Sequence, residues 1–102
     1  MLRDPESIIA VYMMSTGFDG PIYSGVTANL RWRVMQHKNG EASAFTRKYR
    51  CTSLVWWEHH WIIVDAIHRE KRIKKWPRRW KVRLIEEVNP DWLDRWAEIS
   101  AI

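Results

Sequence analysis

The alternation of apolar and polar positions near the start of the chain predicts a β-hairpin. Residues 8–14 form an unbroken, mainly apolar run, which is typical of a buried central strand. Residues 15–20 contain the small and polar residues of a turn. Residues 22–26 predict a second strand with Tyr23 and Gly25 on the same face, because side chains alternate between the two faces of a strand.

The next part of the chain predicts a helix, a polar loop and a third strand. Thr27 or Asn29 provides the N-terminal cap of the helix, and Gly40 suits the left-handed position that follows a helix. A polar loop comes after Gly40. Residues 52–58 are rich in β-branched and aromatic side chains, which favours a strand.

The last part of the chain predicts two helices. Residues 59–76 have helical periodicity, and Pro77 lies either after this helix or in the first turn of the next one. The second helix is expected to run to about Val88, where Asn89 and Pro90 end it. A short C-terminal segment follows.

Length and composition indicate a single domain that spans residues 1–102. A chain of 102 residues with 46% hydrophobic content is large enough for one core only. Cys51 is the sole cysteine, so an intrachain disulfide and a cysteine-based zinc site are excluded, and an intracellular protein is expected. The N-terminal stretch is neither a signal peptide nor a transmembrane span. We therefore expect a soluble protein of the cytoplasm.

The positive charge of the chain is concentrated in one stretch. Residues 69–83 contain nine of the seventeen Lys and Arg residues, whereas the rest of the chain has more acidic than basic residues. Such a patch binds phosphates with little dependence on sequence. Nucleic acid is the expected partner, and a solvated helix face is the alternative.

Glu70 is the only acidic residue within this basic stretch. At about 100° per residue, Ile62, Ala66 and Ile73 share the apolar face of the predicted helix, and Glu70 lies at the border of that face. A partly buried carboxylate needs compensation. Two compensating partners remain open, a Lys or Arg side chain and a divalent metal ion.

Arg33 and His37 lie four residues apart, so they are neighbours on one face of the first helix. Arg can hold a phosphate oxygen with two donors, and His can relay a proton near neutral pH. The alternative for His37 is a packed, hydrogen-bonded core histidine. Tyr12 and Tyr23 can reach the same place from the hairpin, or serve as core aromatics.

The chain has eight tryptophans, and most of them are expected to pack in the core. Trp76 and Trp80 are the exceptions to consider, because they are interleaved with Lys and Arg residues. These two rings can instead stack on bases while the cations contact phosphates.

Six short segments in this order resemble the GIY-YIG nuclease family, in particular its small standalone bacterial members. The segments are Ala10-Val11-Tyr12, Tyr23-Ser24-Gly25, Asn29-Leu30-Arg31-Trp32-Arg33 with His37, Phe45-Thr46-Arg47-Lys48-Tyr49, Arg69-Glu70 and Asn89-Pro90. The first two depart from the Gly-Ile-Tyr and Tyr-Ile-Gly signatures of the family, but both tyrosines are present.

The resemblance implies an α/β fold in which a small three-stranded antiparallel sheet is flanked by helices. It also implies a catalytic site made of Tyr12, Tyr23, Arg33, His37, Glu70 and Asn89. In that site Glu70 holds one Mg²⁺ or Mn²⁺, Arg33 clamps the scissile phosphate, and Tyr23 or His37 orients or deprotonates water. Tyr12 completes the hydrogen-bond network. Asn89 positions backbone or phosphate, or it caps a helix end.

The function expected from the resemblance is that of a metal-dependent endonuclease in the bacterial cytoplasm. It would cut DNA in a structure-selective manner, in DNA repair or processing, without a membrane or a small-molecule cofactor. Seven basic residues are expected to contact the nucleic acid: Arg31, Lys48, Lys74, Lys75, Arg78, Arg79 and Lys81.

Two alternatives remain open. The first is a nucleic-acid-binding module that kept the scaffold but has weak or no catalysis, which the two altered signatures favour. The second is a membrane-surface protein that uses the basic helix. The mixture of tryptophan and charge in residues 69–83 disfavours a clean amphipathic anchor.

Overall fold

One antiparallel sheet of three strands lies at the centre of the protein. The computed structural model describes residues 7–100, so most of the N-terminal stretch considered above lies outside the described residues. The strands are β1 (Ala10–Ser15), β2 (Ile22–Thr27) and β3 (Ser53–His59), in the order β2-β1-β3. The unbroken apolar run is therefore the central strand, as predicted, and β1 and β2 form the predicted hairpin.

Five helices flank the sheet. They are α1 (Leu30–Lys38), α2 (Ala44–Tyr49), α3 (Ile63–Lys74), α4 (Arg78–Glu86) and α5 (Trp96–Ser100). The predicted fold class, a small three-stranded antiparallel sheet flanked by helices, is confirmed.

The alternating side chains of β1 divide the core into two halves. Val11 and Met13 point to the face that packs against α3, α4 and Trp92. Tyr12 and Met14 point to the opposite face, which packs against α1 and α5. Because side chains alternate along a strand, β1 serves both halves at once and is buried throughout.

The ends of α1 follow the predicted capping residues. Of the two candidate caps, Asn29 is the N-cap, and its side chain accepts a hydrogen bond from the backbone of Trp32 at 3.2 Å. At the other end Gly40 adopts a positive φ of 74°, and its amide donates to the carbonyl of His37 at 3.1 Å. Glycine therefore occupies the left-handed position after the helix, where a residue with a Cβ would be strained.

Three element boundaries differ from the sequence predictions. The predicted polar loop contains α2, a helix too short for apolar periodicity to reveal. The helix predicted over 59–76 begins only at Ile63, because His59 still pairs with Ala10 in the sheet. The C-terminal segment contains α5, whose Ile99 is buried in the half of the core formed with α1.

Most tryptophans pack in or against the core, as predicted. Trp56 and Trp92 are buried in it, and the half-buried Trp57, Trp76 and Trp96 pack against it. The other three, Trp32, Trp61 and Trp80, are exposed. Ile62, predicted to lie on the apolar face of the helix, is exposed, because α3 starts after it.

The chain after α4 covers the outer edge of β3. The amide of Asn89 donates to the carbonyls of Val55 and Leu93 at 2.9 Å each, and its oxygen accepts from the backbone of Leu93 at 3.0 Å. The backbone of Arg95 donates to the carbonyl of Leu54 at 2.7 Å. An exposed strand edge invites pairing with other chains, and this segment protects it.

Asn89 should therefore matter for stability. Asn89→Ala removes both donors and leaves buried carbonyls without partners, which should lower the free energy of unfolding by about 2 to 3 kcal/mol. Urea titration followed by tryptophan fluorescence measures the change. Asp91→Ala, at an exposed position in the same segment, should change stability by less than about 0.5 kcal/mol. A variant Asn89→Ala as stable as the wild type would contradict this role.

Candidate active site

The phenol ring of Tyr12 lies across β2 at Gly25. The two residues are cross-strand partners in the sheet. A Cβ atom built on Gly25 would lie 2.6 Å from both Cζ and the hydroxyl oxygen of Tyr12, closer than any side chain can approach. The glycine of Tyr23-Ser24-Gly25 is therefore required by the position of the Tyr12 side chain. Ala10 and Val11, which replace the first two residues of the Gly-Ile-Tyr signature, are fully buried in the core.

A buried chain of hydrogen bonds runs from Tyr12 through His37 to α2. The Tyr12 hydroxyl lies 2.7 Å from Nε2 of His37. The other ring nitrogen, Nδ1, lies 2.9 Å from the hydroxyl of Thr46. The Thr46 hydroxyl in turn lies 2.8 Å from that of Ser43. Both nitrogens of His37 are thus engaged, and the histidine is 1% exposed.

Burial sets the protonation of this chain. Burial, together with the positive charge of Arg33, lowers the pKa of His37 to about 4. Burial also raises the pKa of the Tyr12 phenol above its ordinary value, helped by the proximity of Tyr23 and Glu70 and opposed by Arg33. At neutral pH the imidazole and the phenol are therefore both uncharged, and a neutral imidazole has one nitrogen lone pair that can accept a proton.

Thr46 and Ser43 are site residues that the sequence analysis did not identify. Ser43 caps α2 by accepting a hydrogen bond from the backbone of Thr46 at 3.0 Å, which fixes the Thr46 hydroxyl beside His37. The spacing of Ser43 and Thr46 is that of a helix cap. Read as a cap, this spacing would have predicted both α2 and the partner of His37.

Tyr23 lies beside this chain and is partly open to solvent. Its ring centroid is 5.1 Å from that of His37 and 6.3 Å from that of Tyr12. Tyr23 is half-buried, and its hydroxyl makes no hydrogen bond to any residue in the described range 7–100. Of the two tyrosines, Tyr23 therefore has the hydroxyl that an entering molecule can meet first.

Arg33 brings to the site a positive charge that has no ion-pair partner within residues 7–100, although its guanidinium lies 5.9 Å from the ring centroid of Trp32. Its Nε is buried and has no hydrogen-bond partner among the described residues. Arg33 lies one helical turn before His37 on α1, and its positive charge helps to lower the pKa of His37 and opposes the raised pKa of Tyr12. A buried donor without a partner is costly. An anion bound beside the two rings would supply the missing acceptor.

Glu70 brings a carboxylate to the same site from α3. It is 7% exposed, and its negative charge contributes to raising the pKa of Tyr12. One oxygen of Glu70 forms an ion pair with Lys74 at 2.9 Å. Two compensating partners were left open above, a Lys or Arg side chain and a divalent metal ion. The structure contains the first of these, Lys74.

A divalent metal ion is compatible with Glu70, but only with one carboxylate as its protein ligand. No three His, Cys, Asp or Glu side chains come together within residues 7–100. Mg²⁺ characteristically keeps several waters and takes one or two carboxylates together with phosphate oxygens. The second oxygen of Glu70 has no partner among the described residues, so it remains available to such an ion.

Asn89, the sixth residue of the predicted catalytic set, makes no side-chain hydrogen bond to the other five within residues 7–100. Its amide group is engaged by the backbone of Val55 and Leu93 at the edge of β3. Of the roles left open for Asn89, positioning of backbone is the one that the geometry supports.

The seven basic residues expected to bind nucleic acid differ in their surroundings. Lys75 and Arg79 are exposed and make no ion pair to any described residue. Arg78 donates to the carbonyls of Asp19 and Gly20, at 3.0 and 2.8 Å, and so holds the turn between β1 and β2. Arg78 therefore has a structural contact that the sequence did not predict.

Four of the seven remain to be placed. Lys74 pairs with Glu70, as described above, and Lys81 donates to the carbonyl of Lys74 at 3.5 Å. Burial and the neighbouring cations lower the pKa of Lys81. Arg31 is half-buried on α1, and Lys48 is exposed on α2.

Trp80, which lies between Arg79 and Lys81 in the sequence, is 45% exposed. No helix within residues 7–100 is both long and apolar enough to cross a membrane.

Comparison with known proteins gives a consistent result. The sequence model of the GIY-YIG catalytic domain matches residues 8–83. A UPF0213 protein of Staphylococcus epidermidis is 33% identical over 69 residues, which cover 68% of this chain and 84% of the relative. A UPF0213 protein of Bacillus pumilus is 36% identical over 70 residues, 69% and 71% of the two chains. No solved structure matches the chain at a significant level.

The buried, neutral state of His37 predicts a pH dependence of stability. Because the folded pKa of about 4 lies below the unfolded value of about 6.5, the unfolded chain takes up the proton first as the pH falls. Stability that is present above pH 6.5 is therefore lost between pH 6.5 and 4. Between pH 7 and 4.5, the free energy of unfolding of the wild type should fall by about 2 to 3 kcal/mol more than that of His37→Gln. Urea titrations at each pH measure this difference.

His68→Gln is the control, because it removes an exposed histidine from α3. It should keep the pH dependence of the wild type. If the wild type and His37→Gln lose the same free energy over this range, the imidazole is not held neutral.

Proposed function

Because the chain belongs to the GIY-YIG catalytic-domain family, we propose that it is an endonuclease that hydrolyses phosphodiester bonds of DNA. The single observation that carries this proposal is the buried, unpaired Nε of Arg33 beside a neutral Tyr12–His37 pair. We place its substrates among branched or flapped DNA and its role in DNA repair or processing in the bacterial cytoplasm.

Arg33 supplies the phosphate contact. Its guanidinium has an orphaned donor and no acidic partner among the described residues, so a phosphate oxygen is a suitable acceptor. Hydrolysis adds negative charge to the phosphate in the transition state. A donor already fixed in a buried position stabilises that charge without reorganisation.

Tyr23, Tyr12 and His37 handle the proton of the attacking water. The expectation that His37 itself deprotonates water is not supported, because Tyr12 and Thr46 occupy both ring nitrogens. The half-buried Tyr23 hydroxyl orients the water instead. The water oxygen attacks phosphorus as the bond to the leaving oxygen breaks. The water proton passes to the Tyr12 oxygen, and the phenolic proton of Tyr12 passes to Nε2 of His37. Because a pKa of about 4 makes His37 a weak base, it gives this proton up to the leaving oxygen.

Thr46 determines which nitrogen of His37 can accept that proton. When Nδ1–H donates to the Thr46 hydroxyl, Nε2 carries the lone pair that faces Tyr12. The Thr46 hydroxyl can then donate to the carbonyl of Ser43, 3.3 Å away. Each group in the chain thus has a donor or acceptor role that is consistent with proton transfer toward His37.

Glu70 would hold the single Mg²⁺ or Mn²⁺ that the family implies. When bound, this ion supplies Lewis-acid stabilisation of the phosphate oxygens. Lys74 must release one carboxylate oxygen or remain on it while the other binds the ion. Glu70 is the only acidic side chain within residues 69–83, and it belongs to no group of three His, Cys, Asp or Glu side chains within residues 7–100.

A binding module without catalysis is the second candidate function. The altered signatures were its support, but Ala10 and Val11 fill core positions and Gly25 keeps the contact with Tyr12. The changes therefore leave the arrangement of Tyr12, Tyr23 and His37 intact, which favours a working nuclease.

The test of the proposal is cleavage of duplex, flapped, branched and single-stranded DNA with Mg²⁺, with Mn²⁺ or with EDTA. Glu70→Gln should abolish cleavage while DNA affinity stays equal or rises slightly, because a negative charge is removed from a basic surface. Arg33→Ala should slow the reaction by about 10² to 10³. Glu87→Gln, at an exposed position after α4, is the control and should cleave normally. Wild-type cleavage by Glu70→Gln would exclude its proposed role.

The basic surface can be tested apart from the chemistry. Lys75→Gln combined with Arg79→Gln removes two exposed cations that have no partner among the described residues. If both contact phosphates, the slope of log affinity against log salt concentration should fall by about 2 on duplex DNA. Turnover at saturating DNA should change little. An unchanged slope in titrations at several salt concentrations would place the DNA elsewhere.

A further inference from the structure

A row of aromatic rings leads from the candidate site out along α2. The ring centroid of Tyr23 lies 6.1 Å from that of Phe45, which lies 4.8 Å from that of Tyr49. Phe45 is 39% exposed and Tyr49 is 42% exposed. The row therefore begins beside His37 and ends at the surface.

The two outer rings contribute little to the core. Neither Phe45 nor Tyr49 belongs to either half of the hydrophobic core, nor to the partly buried residues that pack against them. The buried residue of α2 is Thr46, which faces His37. Core packing thus does not account for aromatic side chains at these two positions.

Basic side chains surround α2, and of these Lys48 lies beside the aromatic row, whereas Arg47 lies on the opposite flank of the helix from Phe45 and Tyr49. Arg47 and Arg50 border a cavity of about 340 Å³ that His37 and Thr46 also line. Neither arginine has an ion-pair partner among the described residues, and no acidic residue occurs between positions 42 and 57. Lys48 adds a third positive charge, with Nζ 5.2 Å from the ring centroid of Tyr49.

A single strand of nucleic acid is the polymer that matches both features. Its phosphates need cations, and its bases can stack on aromatic side chains because they are not hidden in a duplex. A fully paired duplex offers phosphates but no free base faces. The aromatic row is also continuous with Tyr23, so a strand bound there would extend directly from the proposed cleavage point.

We propose that α2 binds the unpaired DNA strand that flanks the scissile phosphate, with Phe45 and Tyr49 stacking on its bases and Lys48, beside the Tyr49 ring, contacting its phosphates. The inference rests on the proposed function and specifies its substrate as DNA with a single-stranded segment next to the cut. Both the stacking and the cleavage can be measured separately.

The test is DNA binding in EDTA, so that cleavage does not interfere. The probe is a flapped duplex whose single-stranded arm is either intact or carries abasic nucleotides beside the junction. For the wild type, loss of the stacking bases should weaken binding by roughly 5- to 100-fold. Tyr49→Leu removes one of the two stacking rings, so the difference in affinity between the intact and abasic flaps should shrink, whereas a fully paired duplex should bind as it does to the wild type.

Two matched variants complete the experiment. Tyr49→Phe keeps the ring and should behave as the wild type. Phe18→Leu removes another exposed ring, 69% accessible and in the turn between β1 and β2, and should also behave as the wild type. Circular dichroism checks that each variant is folded.

Two results would overturn the proposal. The first is that Tyr49→Leu lowers the affinity for the intact flap and for the abasic flap by the same factor relative to the wild type. That result would mean that the Tyr49 ring does not contact bases. The second is that Tyr49→Leu lowers the affinity for the fully paired duplex as much as it lowers the affinity for the intact flap. Binding is measured without metal, so it does not depend on cleavage. If the nuclease proposal alone fails, the wild type will bind the flap as expected but will not cleave it when metal is added. That outcome differs from the two results above.

Discussion

The candidate site depends on one interaction, the hydrogen bond that Tyr12 makes with His37 after crossing β2 at Gly25. The crossing requires that position 25 lack a Cβ, and the hydrogen bond requires a neutral imidazole held by Thr46. Burial provides that neutrality by lowering the pKa of His37 to about 4. A central strand, an edge strand and two helices thus position one proton-accepting pair.

The other charged groups of the candidate site come from helices on the two faces of the sheet. Arg33, on the same helix as His37, brings a positive charge with an unpaired buried donor. Glu70 reaches the site from α3, which packs on the other face of β1 through Ala66 and Ile73. The arginine proposed to contact phosphate and the carboxylate are therefore held by separate elements, and the small sheet lies between them.

Local patterns in the sequence predicted the sheet, whereas the candidate site residues came from the family resemblance. The unbroken run that contains Tyr12 predicted a central strand, and a helical spacing of four placed Arg33 beside His37. The sequence did not predict α2, since six residues are too few for a periodic pattern, and it therefore missed Thr46. The backbone partners of Asn89 could not be predicted, because its hydrogen bonds to β3 depend on tertiary contacts that no local pattern shows.

The most direct measurement of the central claim is the single-turnover cleavage rate of Tyr12→Phe on flapped DNA with Mg²⁺. The substitution keeps the ring over Gly25 and removes only the hydroxyl that bonds to His37. If the proton of the attacking water leaves through this hydroxyl, the rate should fall by about 10² to 10⁴ while DNA affinity and the folded structure are unchanged. A wild-type rate for Tyr12→Phe would contradict the account.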